Sequence, residues 1–88
     1  MAYVYILQSK KDNRFYIGST NNLDRRVQEH KNGKTPSTKR FGGVDLVFSQ
    51  KYLLLEDARC IERKLKKLKR RDYLEKIIHD GFIKMRPL

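Results

Sequence analysis

Cysteine is almost absent from this chain. Cys60 is the single cysteine among 88 residues, which excludes an internal disulfide and a cysteine-rich zinc site. Long apolar runs are missing as well, and none approaches the roughly 18–20 residues that a membrane span requires. The N-terminus has no basic segment followed by a long apolar one. We therefore expect no secretory signal and a cytoplasmic protein.

Negative charge is also scarce. The chain has 10 Asp and Glu against 21 Lys and Arg, which leaves a formal charge of +11. Such an excess predicts an anionic partner, with nucleic acid the leading candidate, because clustered cations release counterions from phosphates. Apolar residues make up 39% of the chain, enough for one small core. The length predicts one domain over residues 1–88, with a core at about 2–76 and a short C-terminal helix and tail.

The first twenty residues have the pattern of a β-hairpin. Ala2 to Leu7 is rich in Tyr, Val and Ile and predicts a strand, and Phe15 to Ser19 predicts a second. Asp12 and Asn13 between them are typical turn residues. The short connection favours antiparallel pairing of the two strands.

A helix and a third strand are expected next. Thr20, Asn21 and Asn22 are good helix N-cap residues, and the apolar spacing that follows predicts a helix. The Gly- and Pro-containing stretch from Lys31 to Gly43 predicts a loop. Val44 to Tyr52 predicts the third strand.

The C-terminal third predicts two helices. An apolar stripe at steps of four and three predicts the first, and its members are Leu54, Ala58, Ile61, Leu65 and Leu68. Asp72 and Glu75 predict a capping box that starts a last helix through His79, which Gly81 should end. Helices should cover a sheet of three strands. The fold class is therefore α+β, a three-stranded, mostly antiparallel sheet flanked by helices in the order β-β-α-β-α-α.

The tyrosines of the hairpin are candidates for chemistry. Side chains alternate along a strand, so Tyr3 and Tyr5 share one face of the first strand, and Tyr16 and Gly18 share one face of the second. Tyr5 and Tyr16 are thus positioned to meet across the hairpin. The alternative is that they are ordinary strand aromatics with their phenols at the rim of the sheet.

Arg26 and His30 lie four residues apart and should project from one helix face. Arg26 flanks the apolar stripe and is suited to phosphate, because its guanidinium stays charged and binds two oxygens. A solvated Arg26 is the simpler interpretation. His30 has the alternative role of stabilising the C-terminal end of the helix dipole.

Glu62 is the one carboxylate between Ala58 and Arg71, a stretch with eight Lys and Arg. Surrounded by cations, it should stay ionised. It is a candidate for binding Mg²⁺ as the single protein ligand, with waters and a substrate phosphate completing the octahedron. A salt bridge to Arg59 or Lys66 is the alternative.

Seven of the nine residues from Arg63 to Arg71 are basic. Seven like charges repel one another, which favours a phosphate-binding surface over a merely solvated helix face. The candidate nucleic-acid contacts of this run are Arg63, Lys64, Lys66, Lys67, Lys69, Arg70 and Arg71. The loop residues Lys34, Lys39 and Arg40 extend the set.

These motifs together resemble the GIY-YIG nuclease superfamily, most closely its small single-domain, excinuclease-subunit-like branch. Tyr3-Val4-Tyr5 matches the first motif, with Tyr3 in place of its glycine, and Tyr16-Ile17-Gly18 matches the second. Arg26 and His30 fit the helix signature of the family, and Glu62 fits its metal-binding glutamate. The chain departs from the family pattern at two further points. Ser19 stands where some repair-type members have a lysine. Many members also have an Asn near the site late in the chain, whereas here no Asn follows Asn32.

The resemblance implies metal-dependent hydrolysis of nucleic-acid phosphodiesters, with DNA favoured over RNA and one Mg²⁺ or Mn²⁺ ion. It implies that Tyr16 is the general base or assists it, with Tyr5 orienting water or phosphate and His30 supporting or accepting the proton. Arg26 would clamp the scissile phosphate and Glu62 would hold the metal. Cationic surroundings would lower the pKa of a phenol from its usual value of about 10.

Two other functions remain open. A non-catalytic nucleic-acid-binding module would use the same fold and basic surface, and a small ribosome- or RNA-associated structural protein would also suit the charge. A binding module needs the lysines but has no need of Glu62. We expect no appended DNA-recognition domain of the kind found in homing and repair relatives, and therefore low sequence specificity.

Overall fold

A computed structural model describes residues 1–31, 43–68 and 70–83 of the chain. Within these residues it contains three strands and three helices, in the predicted order. The elements are β1 (Ala2–Ser9), β2 (Phe15–Thr20), α1 (Leu23–Lys31), β3 (Val44–Tyr52), α2 (Leu55–Leu68) and α3 (Arg71–Asp80). The α+β fold class is confirmed, and most of the loop predicted over Lys31 to Gly43 lies outside the described residues.

The three strands form one antiparallel sheet in the order β2-β1-β3. The hairpin of β1 and β2 is confirmed, and its register places Tyr5 opposite Gly18. In the connecting turn, the Arg14 amide donates to Asp12 Oδ1, and Asn13 adopts a left-handed backbone with φ of 60°. Since β1 is central, β2 is an edge strand, and side chains from both faces of the sheet are accessible along it.

One face of the sheet carries the larger core. Val4 and Ile6 of β1 are fully buried there against Ala58, Ile61 and Leu65 of α2. Their alternation with Tyr5 and Leu7 follows from the pleat, which sends successive side chains to opposite faces. Burial of each such aliphatic side chain contributes about 1.5–3 kcal/mol, so this layer fixes α2 on the sheet.

The opposite face carries a smaller core. Tyr5 and Leu7 of β1 and Val44 of β3 are buried there, with Tyr16 and Leu23 packed against them. Leu23 is the first residue of α1, so this face is the one that α1 covers. The sheet is therefore flanked by helices on both sides, as predicted.

Local hydrogen bonds explain where two of the helices begin and end. Asn22 Oδ1 accepts the Arg25 amide at 3.1 Å, which is the side-chain cap expected at the start of α1. Gly81 ends α3 in a left-handed conformation (φ 82°), and its amide donates to the Ile77 carbonyl.

The predicted capping box of α3 is wrong. Arg70 occupies the N-cap position and its side chain makes no capping bond. Asp72 instead pairs with Arg70, and Glu75 with Arg71. The helix begins at Arg71, one residue before Asp72, so Asp72 lies inside the first turn and not at the N-cap position.

The predicted stripe of α2 is partly wrong. Its central members are buried, but Leu54 and Leu68 are 53% and 41% exposed. Leu54 precedes the helix and Leu68 is its last residue, so both extend beyond the sheet that buries the middle turns. None of the helices in the described part of the chain is long and apolar enough to cross a membrane.

Candidate active site at the edge of strand β2

The first part of the site is a tyrosine packed on a glycine. Tyr5 lies opposite Gly18 across the hairpin, and its side chain is almost fully buried. A Cβ atom built on Gly18 would overlap the phenol of Tyr5. Glycine is therefore required at this position by space, because only a residue without a side chain lets the Tyr5 phenol pack this close to β2.

His30 completes a buried aromatic cluster with both tyrosines. Its Nε2 lies 3.1 Å from the Tyr5 hydroxyl, and its ring centroid is 5.0 Å from that of Tyr16. The residue is only 3% exposed, although it lies in the last turn of α1. Tyr5 and Tyr16 thus meet the same histidine from neighbouring strands. The alternative in which His30 merely ends the helix does not account for this packing.

Burial sets the protonation states of this cluster. Burial, and next the proximity of Tyr16, raise the pKa of Tyr5 well above its usual value, although the nearby Arg26 charge opposes the shift. The Arg26 charge does lower the pKa of this phenol, but burial has the larger effect. Burial and Arg26 also lower the pKa of His30. Near neutral pH both groups are uncharged.

Arg26 brings positive charge to the rim of the cluster. Its Nη1 donates to Glu29 Oε2 at 3.1 Å, and its side chain is 42% exposed. Its charge acts on both Tyr5 and His30. The neighbouring Arg25 pairs with the other oxygen of Glu29 but is more exposed, at 66%. Arg26 is thus half-buried at the site, and neither fully solvated nor part of the core.

Glu62 lies on the α2 side of the same edge strand. One carboxylate oxygen accepts a hydrogen bond from Ser19 Oγ, and the other accepts one from Lys66 Nζ at 2.6 Å. The salt bridge to Lys66 that was the alternative for Glu62 is therefore present. Since Ser19 follows Gly18 directly in β2, strand alternation sends its hydroxyl to the face that α2 covers.

Lys66 links Glu62 to the aromatic cluster at the edge of β2. Its ammonium is bound to Glu62 and also lies 5.8 Å from the ring centroid of Tyr16. The charge of Glu62 also contributes to the raised pKa of Tyr5. We use the term edge site for the set formed by Tyr5, Tyr16, Ser19, Arg26, His30, Glu62 and Lys66.

The donor set of the edge site fits a magnesium-type ion. Glu62 supplies a partly exposed carboxylate, and the Ser19 hydroxyl lies beside it. Mg²⁺ is commonly held by one or two carboxylates, with waters and substrate phosphates as its other ligands. No cluster of three His, Cys, Asp or Glu residues occurs in the described ranges, so a metal cage built entirely of protein groups is not formed there.

The basic run does not form one uniform surface. Arg63, Lys64, Lys66 and Lys67 lie on α2, and Arg70 and Arg71 lie at the start of α3. Arg71 has a structural role, since it donates to the Asn13 carbonyl at 2.8 Å and its guanidinium lies 4.4 Å from the centroid of the Phe15 ring. The predicted contacts Lys34, Lys39, Arg40 and Lys69 lie outside the described residues.

Three contacts of the site were not predicted from the sequence. Ser19 was noted only as a departure from relatives, yet it binds Glu62. Glu29 was not considered, although its spacing of three residues from Arg26 is typical of a helical ion pair. Lys66 was predicted as a phosphate contact and as an alternative salt-bridge partner of Glu62, but its position near the Tyr16 ring was not predicted. Of the motif residues, Val4 and Ile17 belong to the core and Tyr3 is half-buried.

Comparison with known proteins identifies the family. The model of the GIY-YIG catalytic domain matches residues 1–76. This chain belongs to the GIY-YIG family. The match spans the hairpin, Arg26, His30 and Glu62, so it includes all the residues that converge at the edge site.

Similar proteins are found among the UPF0213 proteins. One from Clostridium perfringens is 40% identical over 78 residues, covering 88% of this chain and 83% of the relative. One from Oceanobacillus iheyensis is 36% identical, covering 85% and 87%. The solution structure of a UPF0213 protein from Bacillus halodurans has a TM-score of 0.57 at 35% identity, covering 92% of this chain and 87% of that one. GIY-YIG membership makes nuclease chemistry the candidate activity.

Proposed function

We propose that this protein is a metal-dependent nuclease that hydrolyses phosphodiester bonds in nucleic acid, with DNA the favoured substrate. The observation that carries the proposal is the meeting of Glu62 with the Tyr5, Tyr16 and His30 cluster through Lys66. We take residues 1–88 as one GIY-YIG-like domain. Two phenols, a histidine, an arginine and a carboxylate at one edge are a set suited to phosphoryl chemistry.

We assign different roles to the two phenols. Tyr5 keeps its proton because burial raises its pKa, so it orients groups by hydrogen bonding and does not act as a base. Tyr16 is only partly buried, and we assign it to orient the attacking water and assist removal of its proton. With 3% exposure, His30 is suited to holding Tyr5 and Tyr16 in place and poorly suited to meeting the substrate.

The proposed reaction is hydrolysis by in-line displacement. The oxygen of water forms a bond to phosphorus while the bond from phosphorus to the leaving sugar oxygen breaks. The attacking water gives up its proton to solvent beside the Tyr16 hydroxyl, and the leaving oxygen takes one from solvent. Negative charge spreads over the phosphate oxygens in the transition state, and we assign Arg26 to stabilise it through its paired N–H donors.

Glu62 would hold the Mg²⁺ or Mn²⁺ ion, with Ser19 supporting its carboxylate. Such an ion would stabilise negative charge on the phosphate and make the attacking water more acidic. One carboxylate at the edge site supports a single ion.

We propose that the basic residues of α2 bind the backbone of the nucleic acid. Contacts to phosphates depend on charge and do not distinguish one base from another. This supports low sequence specificity. Lys34, Lys39, Arg40 and Lys69 remain proposed contacts on the basis of the sequence. We expect binding that weakens steeply with salt, because each neutralised phosphate releases counterions.

The salt bridge between Lys66 and Glu62 favours a second candidate, a non-catalytic nucleic-acid-binding module. Lys66 neutralises the carboxylate without any metal, as a residue kept only for structure would require. This module would bind nucleic acid with the same charge and would cleave none.

A cleavage assay separates the two. The full chain is incubated with labelled single-stranded, duplex and branched DNA and with RNA, in Mg²⁺, Mn²⁺ or EDTA. We expect metal-dependent cleavage of at least one DNA substrate. Arg26→Ala and Glu62→Ala should bind nucleic acid but lose cleavage. Binding without cleavage by the wild type on every substrate would establish the binding module.

A further inference from the structure

Lys66 contacts two groups of the edge site, a carboxylate and an aromatic ring. Its ammonium donates to Glu62 Oε2 at 2.6 Å and lies 5.8 Å from the ring centroid of Tyr16. Glu62 comes from α2 and Tyr16 from β2, so the ammonium spans the gap between the helix and the edge strand. Arg71 also joins a helix to β2, because it pairs with Glu75 and lies over the Phe15 ring. Neither of these partners belongs to the edge site.

The ammonium of Lys66 has donors to spare. A lysine carries three N–H donors, and the Glu62 oxygen takes one. The Lys66 side chain is 49% exposed, whereas that of Glu62 is 20% exposed. A ligand from solvent can therefore reach the ammonium, while Glu62 fixes its position.

The position of this charge matches the place where the proposed reaction needs one. A phosphate group set between Glu62 and Tyr16 would lie directly against Lys66. An ammonium is a compact point charge, and it suits phosphate oxygens that approach from several directions. Arg26 acts from the α1 side of the cluster and Lys66 acts from α2, so two cations would face one phosphate from two sides.

We infer that Lys66 is a catalytic residue of the edge site, which contacts the scissile phosphate and rests on Glu62 when no phosphate is bound. This inference rests on the proposed nuclease function and adds a residue to it. Lys66 is thereby distinguished from the basic residues that only follow the backbone. No bond to Lys66 is made or broken, and its role is electrostatic.

The inference predicts opposite effects of Lys66→Ala on metal binding and on rate. Removing the ammonium frees Oε2 of Glu62, so Mn²⁺ alone should bind as tightly as in the wild type or more tightly in isothermal titration. The value of kcat should nevertheless fall by roughly 100-fold, the usual scale for loss of one group that stabilises transition-state charge. A lysine that only held Glu62 in place would instead weaken metal binding when removed.

Two further variants separate the effect of the charge of Lys66 from the effect of its hydrogen bond to Glu62. Lys66→Arg keeps the charge and should recover a substantial part of kcat, whereas Lys66→Gln can still donate to Glu62 and should remain as slow as Lys66→Ala. The matched control is Lys76→Ala, an equal loss of charge at an exposed lysine of α3. It should leave kcat and Mn²⁺ binding unchanged.

Failure of the inference is distinct from failure of the proposed function. If the wild type cleaves and Lys66→Ala or Lys66→Gln cleaves with the same kcat, Lys66 is not catalytic, but the nuclease assignment stands. Weaker Mn²⁺ binding by Lys66→Ala would give it a positioning role and also overturn the inference. No cleavage by the wild type in any metal would overturn both.

Discussion

The Tyr5 hydroxyl lies 3.1 Å from Nε2 of His30, and both residues are almost completely buried. Tyr5 lies in β1 and His30 lies in the last turn of α1, 25 residues later in the chain. This contact fastens α1 to the sheet and holds Arg26, one turn earlier, beside the same phenol. The chemistry of the edge site and the packing of the smaller core therefore depend on the same pair.

The buried His30 predicts a particular dependence of stability on pH. Its pKa is lowered in the folded protein, so below pH 6.5 the unfolded chain takes up a proton more readily than the folded one. Its contribution to stability is complete above about pH 6.5 and is lost as the pH falls toward the folded pKa. The slope from this one group is limited to about 1.4 kcal/mol per pH unit. Tyr5, with its raised pKa, should give the opposite slope above about pH 10.

Urea denaturation between pH 4 and 8 measures the His30 contribution. His30→Gln should lose the part of the slope that lies at and below pH 6.5. His79→Gln, at an exposed histidine of α3, should keep it. Equal pH profiles for the wild type and His30→Gln would show that the buried imidazole does not titrate as argued.

Gly18→Ala should destabilise the protein, because the new methyl group would overlap the Tyr5 phenol. Forced overpacking of this kind costs about 1–3 kcal/mol. In a Tyr5→Ala background the overlap is gone, so adding Gly18→Ala should cost less than about 0.5 kcal/mol. The four free energies of unfolding form a double-mutant cycle. Additive losses would contradict direct contact as the reason for the glycine.

The adjacent arginines of α1 provide a matched test of the phosphate clamp. Both pair with Glu29, but Arg26 is half-buried beside Tyr5 and His30, whereas Arg25 is more exposed. We expect Arg26→Ala to lower kcat by roughly 100-fold or more, and Arg25→Ala to change it less than about threefold. Steady-state cleavage kinetics would check both. Equal losses would mean that the two arginines contribute only general positive charge.

Arg71 should matter more for stability than for nucleic-acid binding. It joins the β1–β2 turn to α3 by bonding the Asn13 carbonyl and covering the Phe15 ring. We expect Arg71→Ala to cost about 1–2 kcal/mol in free energy of unfolding, from a cation–π contact and a charged hydrogen bond. Arg63→Ala, on an exposed part of α2, should cost less than about 0.5 kcal/mol. A loss at Arg71 no larger than that at Arg63 would contradict this structural role.

Patterns of local spacing predicted the fold well. The two strand-like segments with turn residues between them predicted the hairpin of β1 and β2. Gly81 predicted the end of α3. The errors came where ion pairs or helix ends decided the outcome. Nothing in the spacing of Asp72 and Glu75 tells whether an arginine or a backbone amide will bind them, because the choice depends on side-chain conformations at the helix start.

The candidate site was predicted less completely than the fold. Motif residues such as Tyr5, Tyr16 and Arg26 come from the sequence and its family resemblance. The contacts that join them depend on tertiary structure: Ser19 meets Glu62 from 43 residues away. The raised pKa of Tyr5 could not be predicted from the sequence, because it depends mainly on burial, which is a property of three-dimensional packing. The position of Lys66 over Tyr16 likewise needed the packing of α2 against the edge strand.

Glu62 decides the central claim. The most direct measurement is the initial rate of DNA cleavage in Mg²⁺ and in Mn²⁺ by the wild type, by Glu62→Gln and by Asp45→Asn. Asp45 is exposed on β3, at the opposite edge of the sheet, so its variant makes the same carboxylate-to-amide change away from the edge site. We predict wild-type rates for Asp45→Asn and a loss of at least about 100-fold for Glu62→Gln. Undiminished cleavage by Glu62→Gln would contradict a metal-dependent nuclease centred on this carboxylate.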